Sequence, residues 1–122
     1  MTENPSERWR ARGLHWHAHL STQSSTITQR RYYSPEGVLF DPHSGADWVA
    51  DTITQYSPET VAIEWNTPWG VTLDGPDVRD ACRDQHVLAR GRPVDALILT
   101  REGELYLYLD PLAPTECSQH HP

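Results

Sequence analysis

Three histidines, His15, His17 and His19, occupy alternate positions in the stretch GLHWHAHL. On a β-strand, side chains at alternate positions leave the same face about 6.6 Å apart, and two imidazoles at this spacing can lean together over one ion. The outer pair starts about 13 Å apart, which is too far for one tetrahedral ion to bind all three rings. A site for a divalent metal such as zinc on this strand would therefore use His15 with His17, or His17 with His19, and a further ligand from elsewhere in the chain.

The same alternation has a purely structural explanation. Leu14, Trp16, Ala18 and Leu20 would face the core of the domain and leave the histidines in solvent or against a partner. The sequence favours this explanation, because the alternation alone accounts for the pattern. In addition, no remote metal ligand stands at a diagnostic spacing from the histidines. The side chains that could complete a metal site are His43, Asp41, Glu64 and Asp110, with His120 and His121 if the tail folds back.

The other candidate binding residues lie in the stretches EWNTPWG and LYLYLD. Glu64 is in the middle of a predicted strand, where a paired surface carboxylate is a simpler interpretation than an acid–base catalyst. Trp65 and Trp69 flank a turn that would hold an aromatic ring rigidly for a ligand or another subunit. Tyr106 and Tyr108 share one face of their strand. This face needs a cover, which in a small two-layer domain is often a second copy of the chain.

Several classes of enzyme chemistry lack their motifs in this sequence. It contains no G-X-S-X-G elbow, no S-X-X-K pair and no glycine-rich phosphate loop. All ten basic residues are arginine, so Schiff-base and P-loop lysine chemistry is excluded. Cys82 has acidic neighbours and lies on an apolar helical stripe, which favours a buried structural thiol over a nucleophile.

The order of the predicted elements indicates how these residues are positioned. The pattern of strands and helices predicts an α+β fold, with a mainly antiparallel sheet and two helices packed on one face. Residues 26–100 fit a ferredoxin-like βαββαβ core, with a strand added at each end. The predicted strands are 14–20, 26–33, 38–40, 60–65, 71–73, 94–100 and 104–110, and the predicted helices are 45–56 and 76–89.

The chain of 122 residues has the length of one domain. We expect a disordered segment over 1–8, a single domain over 9–112 and a flexible tail over 113–122. No apolar run approaches the roughly 20 residues of a membrane span, and the N-terminus lacks the apolar stretch of a signal peptide. The sequence therefore predicts a cytoplasmic protein with no membrane partner. A formal net charge of -7 disfavours nucleic acid as a partner.

Three functional hypotheses follow from these observations. The first is a non-enzymatic homo-oligomer that binds a small molecule or a protein in a cleft. The second is a small metalloenzyme that uses two adjacent histidines of the first strand, a remote Asp, Glu or His, and a metal-bound water as nucleophile. The third is a metal-free acid–base enzyme built on Glu64 and a histidine.

Overall fold

The computed structural model describes residues 7–65, 85 and 87–117. The elements in chain order are helix α1 (Arg8–Ala11), strand β1 (His15–Ser21), helix α2 (Ile27–Arg30), strand β2 (Gly37–Leu39), helix α3 (Pro42–Tyr56), a 3-10 turn (Ser57–Glu59) and strands β3 (Thr60–Trp65), β4 (Val94–Thr100) and β5 (Gly103–Leu112). The strands form one sheet in the order β2-β1-β5-β4-β3. All neighbouring strands are antiparallel, which confirms the predicted α+β class with an antiparallel sheet.

One face of the sheet carries the hydrophobic core. The alternation of β1 points Trp16 and Ala18 into this core, where both are fully buried beside Leu107 and Leu109 of β5. Val49 of helix α3 packs in the same core. The predicted apolar face of the histidine strand is therefore confirmed, and it fixes the three histidines on the opposite face.

Strands β4 and β5 form the predicted hairpin. Their pairing runs from Val94 opposite Leu109 to Thr100 opposite Gly103, and Gly103 has a φ of 145°. A side chain would strain this positive φ, which explains why glycine ends the short connection. The hairpin places β5 beside β1, so that the tyrosine face of β5 and the histidine face of β1 are continuous.

Helix α3 packs closely against the core at Gly45. A Cβ atom at this position would lie 2.6 Å from Cδ1 of Leu88 and 3.2 Å from Cδ2 of Leu109. Both leucines are fully buried, so neither has free space into which to turn. The absence of a side chain at residue 45 therefore sets the distance between this helix and the sheet.

We expect Gly45→Ala to lower the free energy of unfolding by roughly 1 kcal/mol. Overpacking of a core costs about 1–3 kcal/mol, and the higher helix propensity of alanine returns only about 1 kcal/mol. Urea denaturation measures the change. Gly37→Ala is the matched control, because a Cβ there would lie 3.6 Å from Nε1 of Trp48, an ordinary contact. Equal or greater stability of Gly45→Ala would contradict close packing at this position.

The predicted strand over 26–33 is wrong, because residues Ile27–Arg30 form helix α2. Thr26 caps this helix: its hydroxyl oxygen accepts the backbone N–H of Gln29 at 3.2 Å, and the Gln29 side chain accepts the backbone N–H of Thr26 at 2.8 Å. This reciprocal capping box satisfies two backbone donors that would otherwise lack partners. Its T-X-X-Q signature outweighs the β-branched residues that suggested a strand.

The ferredoxin-like arrangement is also not formed. In a ferredoxin-like core drawn from residues 26–100, the strands at 60–65 and 94–100 would lie at opposite edges. In the structure β3 and β4 are direct neighbours, paired from Thr60 opposite Thr100 to Trp65 opposite Ala96. The antiparallel sheet is confirmed, and its strand order differs from the predicted one.

The remaining predicted elements differ only at their ends or lie outside the described residues. The strands at 38–40 and 60–65 are confirmed within a residue. Helix α3 begins at Pro42, three residues before the predicted start, and Asp41 is its N-cap. The turn at Trp69, the strand at 71–73 and Cys82 fall outside the described residues. Of the predicted helix 76–89, residues 85 and 87–89 are described and helical. No helix in the described part of the chain is long and apolar enough to cross a membrane.

Candidate metal centre and adjoining pocket

The three histidines of β1 are buried, with exposed fractions of 9% for His15, 4% for His17 and 6% for His19. The expectation that they face solvent is therefore wrong. The sequence pattern places them on the second face of the sheet correctly, but this face is covered by the same chain. The cover consists of the segment around helix α2 and the residues that follow β5, two regions whose long-range position no local pattern predicts.

Two of the three imidazoles meet a thiol at the start of β1. Nε2 of His15 lies 3.2 Å from Nε2 of His17, and Sγ of Cys117 lies 3.6 Å from Nε2 of His17. The three ligand atoms all lie within 4.8 Å of one another. His15 and His17 are buried and Cys117 is half-buried, so the cluster is shielded from bulk water on most sides.

These distances match the edges of a tetrahedral zinc site. Zinc bonds of about 2.0–2.1 Å to nitrogen and about 2.3 Å to sulfur, at tetrahedral angles, separate two nitrogens by about 3.3 Å and nitrogen from sulfur by about 3.6 Å. The two measured separations, 3.2 Å and 3.6 Å, lie within about 0.2 Å of these values. In the absence of metal, the same separation of the two rings allows one imidazole N–H to donate to the other ring.

Cys117 reaches β1 because the chain turns back after β5. Glu116 holds this turn, since its carboxylate accepts the backbone N–H of Ala113 at 2.8 Å and its backbone N–H donates to the carbonyl of Ala113 at 2.9 Å. The same carboxylate pairs with Arg31 at 3.0 Å, beyond helix α2. Residues 113–117, predicted to belong to a flexible tail, thus form a turn fixed to the domain.

The ring of His15 is also held from its other side. Phe40 stacks on it with ring centroids 6.0 Å apart and ring planes 24° from parallel. Because β1 pairs with β2 with Leu39 opposite Trp16, Phe40 follows directly at the edge of the histidine face. Packing of this kind reduces the orientations open to the ring and favours a fixed ligand position.

The remote ligands suggested by the sequence have other roles in the structure. Asp41 caps helix α3, His43 lies 3.3 Å from Asp47 on the exposed side of that helix, and Asp110 pairs with Arg30. Glu64 is exposed on edge strand β3, and His120 and His121 lie outside the described residues. Cys117 is not among the predicted ligands, because its position depends on strand register. Leu112 pairs with His15, so the residues just after β5 lie beside the start of β1.

His19 belongs to a different group of side chains, further along the same face. Its cross-strand partner is Tyr108 of β5, and the guanidinium carbon of Arg30 lies 3.6 Å from the centre of the Tyr108 ring. Burial lowers the pKa of the His19 imidazole below its usual value; Asp110 and Glu36 oppose this shift, and Arg30 adds to it.

Arg30 and Asp110 form a buried ion pair beneath this group. Nε of Arg30 donates to Oδ2 of Asp110 at 2.6 Å and NH2 donates to Oδ1 at 2.9 Å, while NH1 donates to the carbonyl and hydroxyl oxygens of Ser25. The two side chains are only 8% and 5% exposed. Such a paired fork satisfies most of the guanidinium donors and neutralises both charges.

The other predicted binding residues are placed as follows. Tyr108 is 5% exposed. The α2 segment of the same chain covers it, whereas a second copy of the chain was expected as the cover. Tyr106 is half-buried, stacks on Tyr108 with centroids 6.4 Å apart and donates its hydroxyl to Glu104. Trp65 packs against the core and Glu64 is exposed. Trp69 lies outside the described residues.

A pocket of about 320 Å³ opens beside His19. Its lining includes His19, Tyr108, Arg30, Glu36, Tyr33 and four serines from the end of β1 and the segments on either side of α2. None of the three side chains of the metal cluster lines this pocket. The histidine face thus holds two separate groups, one at each end of β1.

No protein-family model, curated protein or solved structure matches this chain. The geometry and chemistry of the described residues are therefore the basis for a functional proposal.

Proposed function

We propose that the protein binds a zinc ion through His15, His17 and Cys117 and uses it as a hydrolytic metal centre. The observation that carries the proposal is the pair of separations, 3.2 Å between the two imidazole nitrogens and 3.6 Å between nitrogen and sulfur. His17 and Cys117 are 100 residues apart in sequence, and two of the three separations between the ligand atoms equal edge lengths of a tetrahedral zinc site. The third separation, between His15 and Cys117, lies within 4.8 Å.

The ligand set favours zinc over the common hard cations. Thiolate and imidazole are ligands for zinc and other soft or borderline metals, whereas magnesium and calcium require oxygen ligands. No carboxylate joins this cluster among the residues that the structure describes.

The number of ligands favours a reactive centre over a purely structural one. Structural zinc sites are closed by four protein ligands, whereas catalytic sites use three and leave the fourth position to water or substrate. Within residues 7–65, 85 and 87–117 the cluster has three. Zinc would lower the pKa of a bound water to about 7 and so supply a hydroxide for hydrolysis at neutral pH.

Homo-oligomer formation stays a separate prediction, tested by light scattering.

Cobalt substitution tests the proposed ligand set directly. We expect Co²⁺ added to tag-free, metal-free protein to give the near-ultraviolet charge-transfer band of a cobalt–thiolate bond, and Zn²⁺ to displace it. Cys117→Ser should abolish the band, whereas Cys82→Ser, at the other cysteine of the chain, should keep it. His17→Asn should abolish tight binding, whereas His43→Asn should leave it unchanged.

Two results would overturn the proposal. One is the absence of any cobalt–thiolate band in the wild-type chain under reducing conditions. The other is a band that survives Cys117→Ser and disappears in Cys82→Ser, which would place the metal elsewhere. Full metal binding without hydrolysis of ester or peptide probes would retain the metal centre and reject its hydrolytic use.

A further inference from the structure

The second group on the histidine face has the composition of a ligand site. His19 and Tyr108 are directly opposite each other in the β1–β5 register, and both line the 320 Å³ pocket. Side chains opposite each other on antiparallel strands start about 5 Å apart, so the two polar side chains enter the pocket together. The volume lies at the lower end of the range of small-molecule sites, about 300–1,000 Å³.

Both side chains keep hydrogen-bonding capacity for a ligand. His19 is only 6% exposed and forms no hydrogen bond with another described residue, and its ring nitrogens are not fully closed off from the pocket that it lines. The hydroxyl oxygen of Tyr108 accepts the backbone N–H of Ser25 at 3.2 Å, and its own proton has no acceptor among the described residues. Both side chains line the pocket, so this hydrogen-bonding capacity is open to a ligand there.

The charges of the pocket argue against an anionic ligand. Arg30 is the one cationic side chain in the lining, and its guanidinium is occupied by Asp110 and Ser25. Glu36, at the pocket wall, adds a negative charge. Among the residues that the structure describes, an anion in this pocket would meet no cation without a partner and would face the carboxylate of Glu36.

The remaining lining matches hydroxyl groups. Four serines and Gln23 each offer both donors and acceptors, which is the hydrogen-bonding character of a ligand with several hydroxyls. Tyr33, exposed at the rim, adds an aromatic surface against which the C–H face of a ring can pack. We propose that this pocket binds a neutral polyhydroxylated molecule of the size of a monosaccharide, held by His19 and Tyr108.

This inference goes beyond the proposed metal centre and does not depend on it, because the two groups share no side chain. The test uses the full chain in titrations observed by ¹H–¹⁵N NMR, with and without zinc. The probes are glucose, galactose, mannose and myo-inositol, with inorganic phosphate and acetate as anionic probes. We expect at least one polyhydroxylated probe to bind and to shift the backbone signals of residues 19–36, and neither anion to do so.

Two pairs of variants assign the binding to named side chains. Tyr108→Phe and His19→Asn should each weaken binding roughly fivefold to tenfold, the effect of one lost hydrogen bond. Tyr106→Phe and His43→Asn are the matched controls and should bind as the wild type does. Thermal melts check that each variant folds. If Tyr108→Phe fails to fold, because it also loses the bond to Ser25, His19→Asn and His19→Gln carry the test.

The outcomes separate the two sites. His17→Asn should lose metal binding and keep binding of the polyhydroxylated probe, whereas His19→Asn should keep metal binding and bind the probe more weakly. The inference would be overturned if no polyhydroxylated probe binds at concentrations up to roughly 0.1 M. Binding that is unchanged in folded Tyr108 and His19 variants, or binding of phosphate in preference to the sugars, would also overturn it.

Discussion

Replacement of Asp110 by asparagine is expected to lower the free energy of unfolding by about 3–5 kcal/mol, the usual cost of breaking a buried ion pair from one side. Asp110 accepts two hydrogen bonds from Arg30, and both side chains are almost inaccessible to water. The asparagine amide would turn an N–H donor toward a guanidinium N–H and leave the buried positive charge without its counter-charge. Urea denaturation measures the loss.

The neighbouring arginine provides the matched control. Arg31 pairs with Glu116 at 3.0 Å, but these side chains are 41% and 42% exposed. Exposed ion pairs contribute about 0–1 kcal/mol and are weakened by salt. Glu116→Gln should therefore lower the free energy of unfolding by less than 1 kcal/mol, and the wild type and this variant should be equally stable at about 1 M salt. Glutamine keeps the carbonyl oxygen that accepts the N–H of Ala113, so the turn before Cys117 is preserved.

A double replacement isolates the cause of the loss. In Arg30→Met with Asp110→Leu, no buried charge remains, and the combined change should cost less than the sum of the two single changes. This non-additivity would show that most of the free energy lost in each single variant comes from the buried charge that is left without its partner. A loss below 1 kcal/mol for Asp110→Asn would contradict burial of this pair and, with it, the position of helix α2 on the sheet.

The sequence predicted the elements of the sheet that depend on local alternation. Trp16 and Ala18 face the core, and the three histidines share the other face, because a strand has a strict period of two. The same geometry limited a metal to two adjacent histidines, and His15 and His17 are the two that meet in the structure. These conclusions needed no knowledge of any distant residue.

The parts that were missed depend on contacts between distant segments. The α2 segment and residues 113–117 cover the histidine face of the sheet and bury it. Local sequence patterns do not predict against which surface these two segments pack. Cys117 enters the cluster because Leu112 pairs with His15, and a shift of this register by two residues would move the thiol away by about 6.6 Å. The strand at 26–33 was wrong for a local reason, since the capping signal of helix α2 was present in the sequence.

Zinc at 100-fold its dissociation constant is expected to raise the free energy of unfolding by about 2.7 kcal/mol, because a ligand that binds only the folded chain stabilises it in proportion to the logarithm of its concentration. The three ligands come together only when β1 and the turn after β5 are both in place. Denaturation of the tag-free chain with zinc and with excess chelator measures the difference.

The variants along β1 decide where this stabilisation originates. Cys117→Ala and His17→Asn should each remove the zinc-dependent gain, whereas His19→Asn, two residues further along the same face, should keep it. A nonspecific effect of zinc on exposed histidines and carboxylates would survive in all three variants. Because the unfolded chain still carries every histidine, any zinc that binds it reduces the gain in the wild type and the variants alike. If the zinc-dependent increase in the free energy of unfolding is absent in Cys117→Ala and present in His19→Asn, zinc binds a folded site that joins β1 to the segment after β5.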